Sequence, residues 1–186
     1  RVELRNTYYN ALHFLDSRLE KILQYIQNSH LSKNTIVLIT GDHGQEFMEH
    51  GYTGHSGAFT REQTMVPLIL KWPGKSPKVY NHFTTHFDVT PTFMEKLGVK
   101  NPNVDYSLGH NLFLEQSHNY SLACNWSKCA IMDEQGWVIF GAPGHSATST
   151  EFRDKNYNVI KKAEGLNPLR SKYMAEVLQK MGAFSN

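Results

Sequence analysis

Residues 41–44 read Gly-Asp-His-Gly, so a carboxylate and an imidazole stand on adjacent residues with a glycine on either side. Two more histidines, His50 and His55, follow within a dozen positions. Asp oxygen and His nitrogen are both ligands of divalent metal ions. Adjacent side chains reach one ion only if the backbone turns sharply, and Gly41 and Gly44 permit that turn. A second reading stands beside it. Asp42 caps a local turn, and His43 is a hydrogen-bonded polar residue of a loop that happens to be rich in histidine.

The segments around this stretch decide where it can sit. Thr35–Thr40 (TIVLIT) is rich in β-branched residues and lacks alternation, as expected of a strand covered on both faces. Before it, Tyr8, Leu12, Leu15, Leu19, Ile22, Leu23 and Ile26 keep spacings of three and four, one stripe of a helix over 3–29. A helix followed by a doubly covered strand points to an α/β sheet. In such sheets ligands gather beyond the carboxyl ends of strands, where Asp42 and His43 fall. Residues 41–62 read as loop. Residues 65–72 (MVPLILKW) read as a second strand, with Pro67 near its start, where a missing N–H is tolerated. Residues 82–88 read as a short extended segment. A helix follows, capped by Asp88 or Thr90, with Pro91 in its first turn and Gly98 as its stop. Further on come a strand at 120–124, a hairpin over 130–140 turning at 133–136, a loop at 141–150 and an amphipathic helix at 168–182.

Composition excludes several function classes. The chain has 186 residues, enough for one domain with a real core. Its net charge of +2 and scattered Lys and Arg argue against a nucleic-acid partner. No apolar stretch approaches the roughly 20 residues needed to span a bilayer. Residues 1–20 read as an amphipathic helix and not as a signal peptide. Cys124 and Cys129, in CNWSKC, either close a small disulfide loop or stay as two reduced thiols; zinc ligation usually needs four ligands, often as closer pairs. Trp72 and Trp137 are expected in the core.

Residues 34–74, NTIVLITGDHGQEFMEHGYTGHSGAFTREQTMVPLILKWPG, resemble the sulfatase branch of the alkaline phosphatase superfamily. The resemblance rests on DHG after a hydrophobic strand, then VPLI and P-G, then D-x-x-P-T in HFDVTPTFMEKLGV. It covers about residues 6–115, and 116–186 carry no motif of the family. It implies an alkaline-phosphatase-like sandwich: a mixed, mostly parallel sheet flanked by helices, plus a small C-terminal β/α subregion. Residues 1–186 would be one partial domain, with 116–186 as a C-terminal subdomain.

The resemblance also implies roles. Asp42 and His43 become metal ligands. A neutral imidazole suits manganese or zinc better than calcium or magnesium, which stay open as alternatives. His55, in GHSG, matches a substrate-facing basic position and is expected to contact a sulfate or phosphate oxygen or protonate the leaving group. Arg61 could pair with the same anion. Glu46 and Glu49 are either partners orienting a histidine or solvated loop carboxylates, and His50 is structural or exposed. His110, His118 and His145 read as surface polar residues.

The family needs a nucleophile, a formylglycine made from Ser or Cys in sulfatases and a Thr in phospho-transferring relatives. No C/S-x-P-x-R after a strand ending in Asp, nor an equivalent Thr, occurs in these 186 residues. The expectation is the C-terminal part of a longer sulfate-ester hydrolase, inactive without its N-terminal half. An open sheet edge where the missing strands should pair would be a route to homo-oligomers. Two alternatives stand: a membrane-anchored phosphoglycerol- or phosphoethanolamine-type transferase, and a sulfatase-like lipid-binding or regulatory ectodomain without catalysis. The relatives implied work outside the cytoplasm, in the periplasm or at the cell surface, with the whole protein anchored in the inner membrane under the transferase reading.

Overall fold

The computed structural model describes residues 2–142 and 149–183, in two compact units, 1–78 and 79–186. Most of the expected 141–150 loop, with His145, lies outside the described residues. In the first unit the predicted helix forms as α1 (Val2–Asn28). None of its residues is buried, and Leu12, Leu15 and Ile22 from the apolar stripe stay largely exposed. Its first turns reach the loop that follows Thr40, and its last turn meets the 3₁₀ turn His30–Lys33. Tyr8 meets the Phe47 ring edge-on at 5.1 Å, and Arg5 pairs with Glu49.

β1 (Val37–Thr40) pairs with β4 (Leu68–Lys71), from Val37 opposite Lys71 to Thr40 opposite Leu68. Pro67 stands just before β4, outside the ladder. The α/β class expected from the sequence holds, but the strand pairing is different: every ladder among the described residues is antiparallel, where a mostly parallel sheet was expected. A parallel pair needs a crossover to the far end of the sheet. Here the connection leaves Thr40 and returns at Leu68, directly opposite. It contains the two-residue strands β2 (Glu46–Phe47) and β3 (Thr53–Gly54) and the single turn α2 (Arg61–Thr64).

In the second unit, a 3₁₀ turn (His86–Asp88) replaces the end of the expected extended segment and leads into α3 (Val89–Lys96). Gly98, at φ +82°, stops that helix. Asp88 caps in an unexpected sense. It holds the N-cap position of α3 without a side-chain cap bond there, and its carboxylate instead accepts the N–H of Thr85, the cap residue of the preceding 3₁₀ turn.

The predicted strands appear as β5 (Ser121–Cys124), β6 (Lys128–Asp133) and β7 (Gly136–Gly141), with the hairpin turn at Asp133–Gly136. Two short strands that the sequence did not announce, β8 (Glu151–Asp154) and β9 (Val159–Ile160), complete an antiparallel meander. A single turn, α4 (Lys162–Gly165), precedes α5 (Pro168–Ala183). Tyr173 and Val177 of α5 pack on Cys129, Ile131, Val138, Phe140 and Phe152 to form the core. Trp137 is buried as expected, whereas Trp72 is only half-buried. Cys124 and Cys129 face each other across β5 and β6 and are joined as a disulfide, which settles the two alternatives.

Candidate metal centre

The end of β1 delivers Asp42 and His43 into the connection. Gly44 then holds the turn in place, for a reason other than the one anticipated. Its backbone needs no left-handed conformation; a Cβ there would lie 2.1 Å from the carbonyl oxygen of Glu62. Only glycine lets the loop come this close to α2, where its N–H donates to the Gln63 carbonyl at 2.9 Å.

The β2–β3 register brings in the third residue. Glu46 stands opposite Gly54 and Phe47 opposite Thr53, so the next step outward puts Gln45 beside His55. His55 Nδ1 lies 3.2 Å from Gln45 Oε1, and its ring stacks on His43 at 4.1 Å and 24°. Two histidines twelve residues apart therefore meet because of a two-residue hairpin.

That hairpin is held from beneath by Glu46, whose side chain is fully buried. Its carboxylate accepts from Thr60 Oγ1 at 2.6 Å, Gln63 Nε2 at 2.9 Å and the His50 N–H at 2.8 Å. Burial works to raise its pKa, but these bonds outweigh burial and hold it below the usual carboxylate range. Glu46 is thus neither a solvated loop carboxylate nor a partner of a histidine ring; it ties hairpin to helix. Glu49 pairs with Arg5, and His50 Nε2 lies 3.2 Å from Glu62 Oε2.

Asp42 and His43 have complementary states. The Asp42 side chain is 90% exposed. The His43 N–H donates to its Oδ1 at 3.0 Å, and with Asp42's own N–H this holds the carboxyl below its ordinary pKa, so it is anionic near neutrality. His43 Nδ1 lies 2.9 Å from the Gly44 carbonyl, a bond that requires the proton on Nδ1. Nε2 is then a bare lone pair, 3.6 Å from Asp42 Oδ2. A carbonyl that fixes the tautomer of an imidazole with a free nitrogen is the usual support of a metal-ligating histidine. The donor set present therefore fits two ligands of one divalent ion. Arg61 is not drawn into this group: its Nε donates to Met65 Sδ at 3.2 Å, on its own helical turn.

A second cluster escaped the sequence reading. Asp88, His110 and His118 each offer a ligand atom within 4.8 Å of the others, and this is the one such group of three among the described residues. The expectation of His110 and His118 as surface polar residues is corrected. The His118 side chain is 12% exposed and its Nε2 lies 2.7 Å from Asp88 Oδ1, while His110 stacks on it at 4.0 Å. They lie 22 and 30 residues from Asp88, with no local motif to join them; the signal available was a glycine before His110, in SLGHN.

A profile of the sulfatase family matches residues 2–99, more than half of the chain, and the chain belongs to that family. It is similar to inner membrane protein YejM of Salmonella typhimurium, 30% identical over 145 residues, which is 76% of this chain and 24% of YejM. It is similar also to choline-sulfatase of Rhizobium meliloti, 26% identical over 95 residues, 51% of this chain and 18% of that enzyme. The chain thus spans a quarter or less of the length of these relatives. Among solved structures, BT1596, a 2-O GAG sulfatase, superimposes with a TM-score of 0.59 at 20% identity, over 91% of this chain and 40% of that one. The fold is accordingly alkaline-phosphatase-like.

Proposed function

We propose that the protein carrying this chain is a divalent-metal-dependent hydrolase of sulfate esters, and that the chain supplies Asp42 and His43 as ligands of its metal. The observation that carries the reading is the ionised Asp42 carboxylate 3.6 Å from an His43 Nε2 left bare by the Gly44 carbonyl. Proteins of this family generally bind a divalent metal. The mixed oxygen and nitrogen donors favour manganese or zinc over calcium or magnesium. When bound, the ion supplies Lewis-acid polarisation of the transferred group and a lowered nucleophile pKa.

The chain's own residues have the remaining tasks. His55, held by Gln45 and stacked on His43, offers Nε2 to a sulfate or phosphate oxygen, or passes a proton to the leaving group. Arg61 keeps guanidinium nitrogens beyond its Met65 contact for an anion. The similarity to YejM, an inner membrane protein, supports a membrane-anchored setting. The second reading placed there is a phosphoglycerol- or phosphoethanolamine-type transferase, or a lipid-binding or regulatory ectodomain without catalysis. Either fits a place outside the cytoplasm, as does the Cys124–Cys129 disulfide, since such bonds persist in oxidising compartments. No helix among the described residues is long and apolar enough to cross a membrane.

Turnover of an aryl sulfate and of an aryl phosphodiester by the whole protein, loaded with manganese or zinc, separates the readings. Sulfate hydrolysis is expected, falling by at least about 100-fold in Asp42→Asn/His43→Gln. Phosphodiester turnover alone would favour the transferase. No turnover and no metal at Asp42–His43 would leave the non-catalytic reading.

A further inference from the structure

The Asp88–His110–His118 cluster is built by backbone contacts that bring distant residues to one point. Asp88 is 2% exposed. Its Oδ2 accepts the Thr85 N–H at 2.7 Å, and its Oδ1 accepts the His110 N–H at 2.8 Å and lies 2.7 Å from His118 Nε2. Gly109 makes the approach possible, because a Cβ there would lie 2.2 Å from the Phe87 carbonyl oxygen. Ser107 Oγ donates to the same carbonyl at 2.6 Å. The loop before His110 is therefore pressed against the residue that precedes Asp88.

His110 carries the unexplained feature. Its Nε2 is buried and has no hydrogen-bond partner. A buried ring nitrogen with no partner costs free energy, and as a lone pair it is satisfied by a cation shared with Asp88 and His118.

We propose that Asp88, His110 and His118 bind a zinc ion that fastens the irregular segment 99–118 to the start of α3. Two imidazole nitrogens and one carboxylate oxygen select zinc over calcium or magnesium, and the fourth position is left for water. The ion takes the place of the proton between His118 Nε2 and Asp88 Oδ1, and that proton is released to solvent. Bringing the three atoms onto one ion needs rotation of the side chains from their present 4.8 Å spread. Segment 99–118 has the need for such a tie: it contains only the 3₁₀ turns Asn103–Asp105 and Leu112–Leu114. A buried Asp88 and two half-buried histidines suit a structural ion.

The site shares no residue with the Asp42–His43 pair, so the test uses the Asp42→Asn/His43→Gln chain titrated with zinc. One equivalent is expected to bind, and its affinity should fall at least about tenfold when His110→Gln or His118→Gln is added. Zinc X-ray absorption on the same chain with both histidines intact should show two imidazole nitrogens and an oxygen at about 2.0–2.2 Å. That spectrum stays decisive if a histidine variant fails to fold. No bound zinc, an affinity indifferent to both histidines, or a spectrum lacking two imidazoles overturns the site. None of these outcomes bears on sulfate-ester turnover, which is read from the whole protein with Asp42 and His43 intact.

Discussion

At the scale of single residues, the chemistry at Asp42 and His43 depends on neighbours that touch neither. Glu46 lies beneath the hairpin that brings His55 to His43, with Thr60, Gln63 and the His50 N–H on its carboxylate. Glu46→Ala removes the acceptor and strands these donors in a buried place. Destabilisation of about 2–4 kcal/mol is expected in denaturant unfolding. The folded-state pKa of Glu46 is depressed, so its contribution is complete above the unfolded value of 4.5. It is lost as pH falls through that value to the lower folded one. Glu46→Gln should therefore flatten the stability curve below pH 4.5. An acid limb identical to wild type would show that Glu46 does not supply it.

At the scale of elements, the second unit closes around one ion pair. Arg170 of α5 reaches back to Asp133 in the hairpin turn, with Nε donating to Oδ2 at 2.7 Å and Nη2 to Oδ1, and its Nη1 donates to the Gly165 carbonyl at 2.9 Å. Both side chains are nearly fully buried. Arg170→Ala leaves Asp133 charged and without its partner, and a loss of about 3–5 kcal/mol is expected in thermal or denaturant unfolding. Arg170→Met with Asp133→Leu should recover most of it, since the penalty comes from the stranded charge. If the single change costs less than the double one, the pair is not what docks α5 on the turn.

At the scale of the whole molecule, the chain holds a candidate metal centre and spans a quarter or less of the length of the relatives it matches. Asp42, His43 and His55 converge, yet no motif for the family's nucleophile occurs in the 186 residues. The chain by itself is expected to leave nitrophenyl sulfate and bis-nitrophenyl phosphate untouched with manganese or zinc present. Turnover by the purified chain would mean that a nucleophile here was overlooked. The exposed apolar residues of α1, among them Leu15 and Ile22, are also expected to bind a hydrophobic dye. Leu15→Glu/Ile22→Glu should weaken that signal without reducing helical circular dichroism, because neither side chain is buried.

The sequence by itself determined what local patterning can carry. The three- and four-residue spacing set α1. The β-branched run set β1, Pro67 set the start of β4, and the Asp133–Gly136 turn set the β6–β7 hairpin. Asp42-His43 between glycines marked the first candidate site, because both donors lie within one turn of chain. What needed the tertiary structure depends on strand direction or on residues far apart. Antiparallel return of β4 beside β1 cannot be read from a hydrophobic run, which is equally apolar in either direction. The short β8 and β9 form because β7 offers β8 a ladder and β8 in turn offers one to β9. Burial of Glu46 and the meeting of Asp88, His110 and His118 leave no local trace. They follow from loops that touch where Gly44 and Gly109 have no Cβ, and a contact of that kind exists only once both sides are folded.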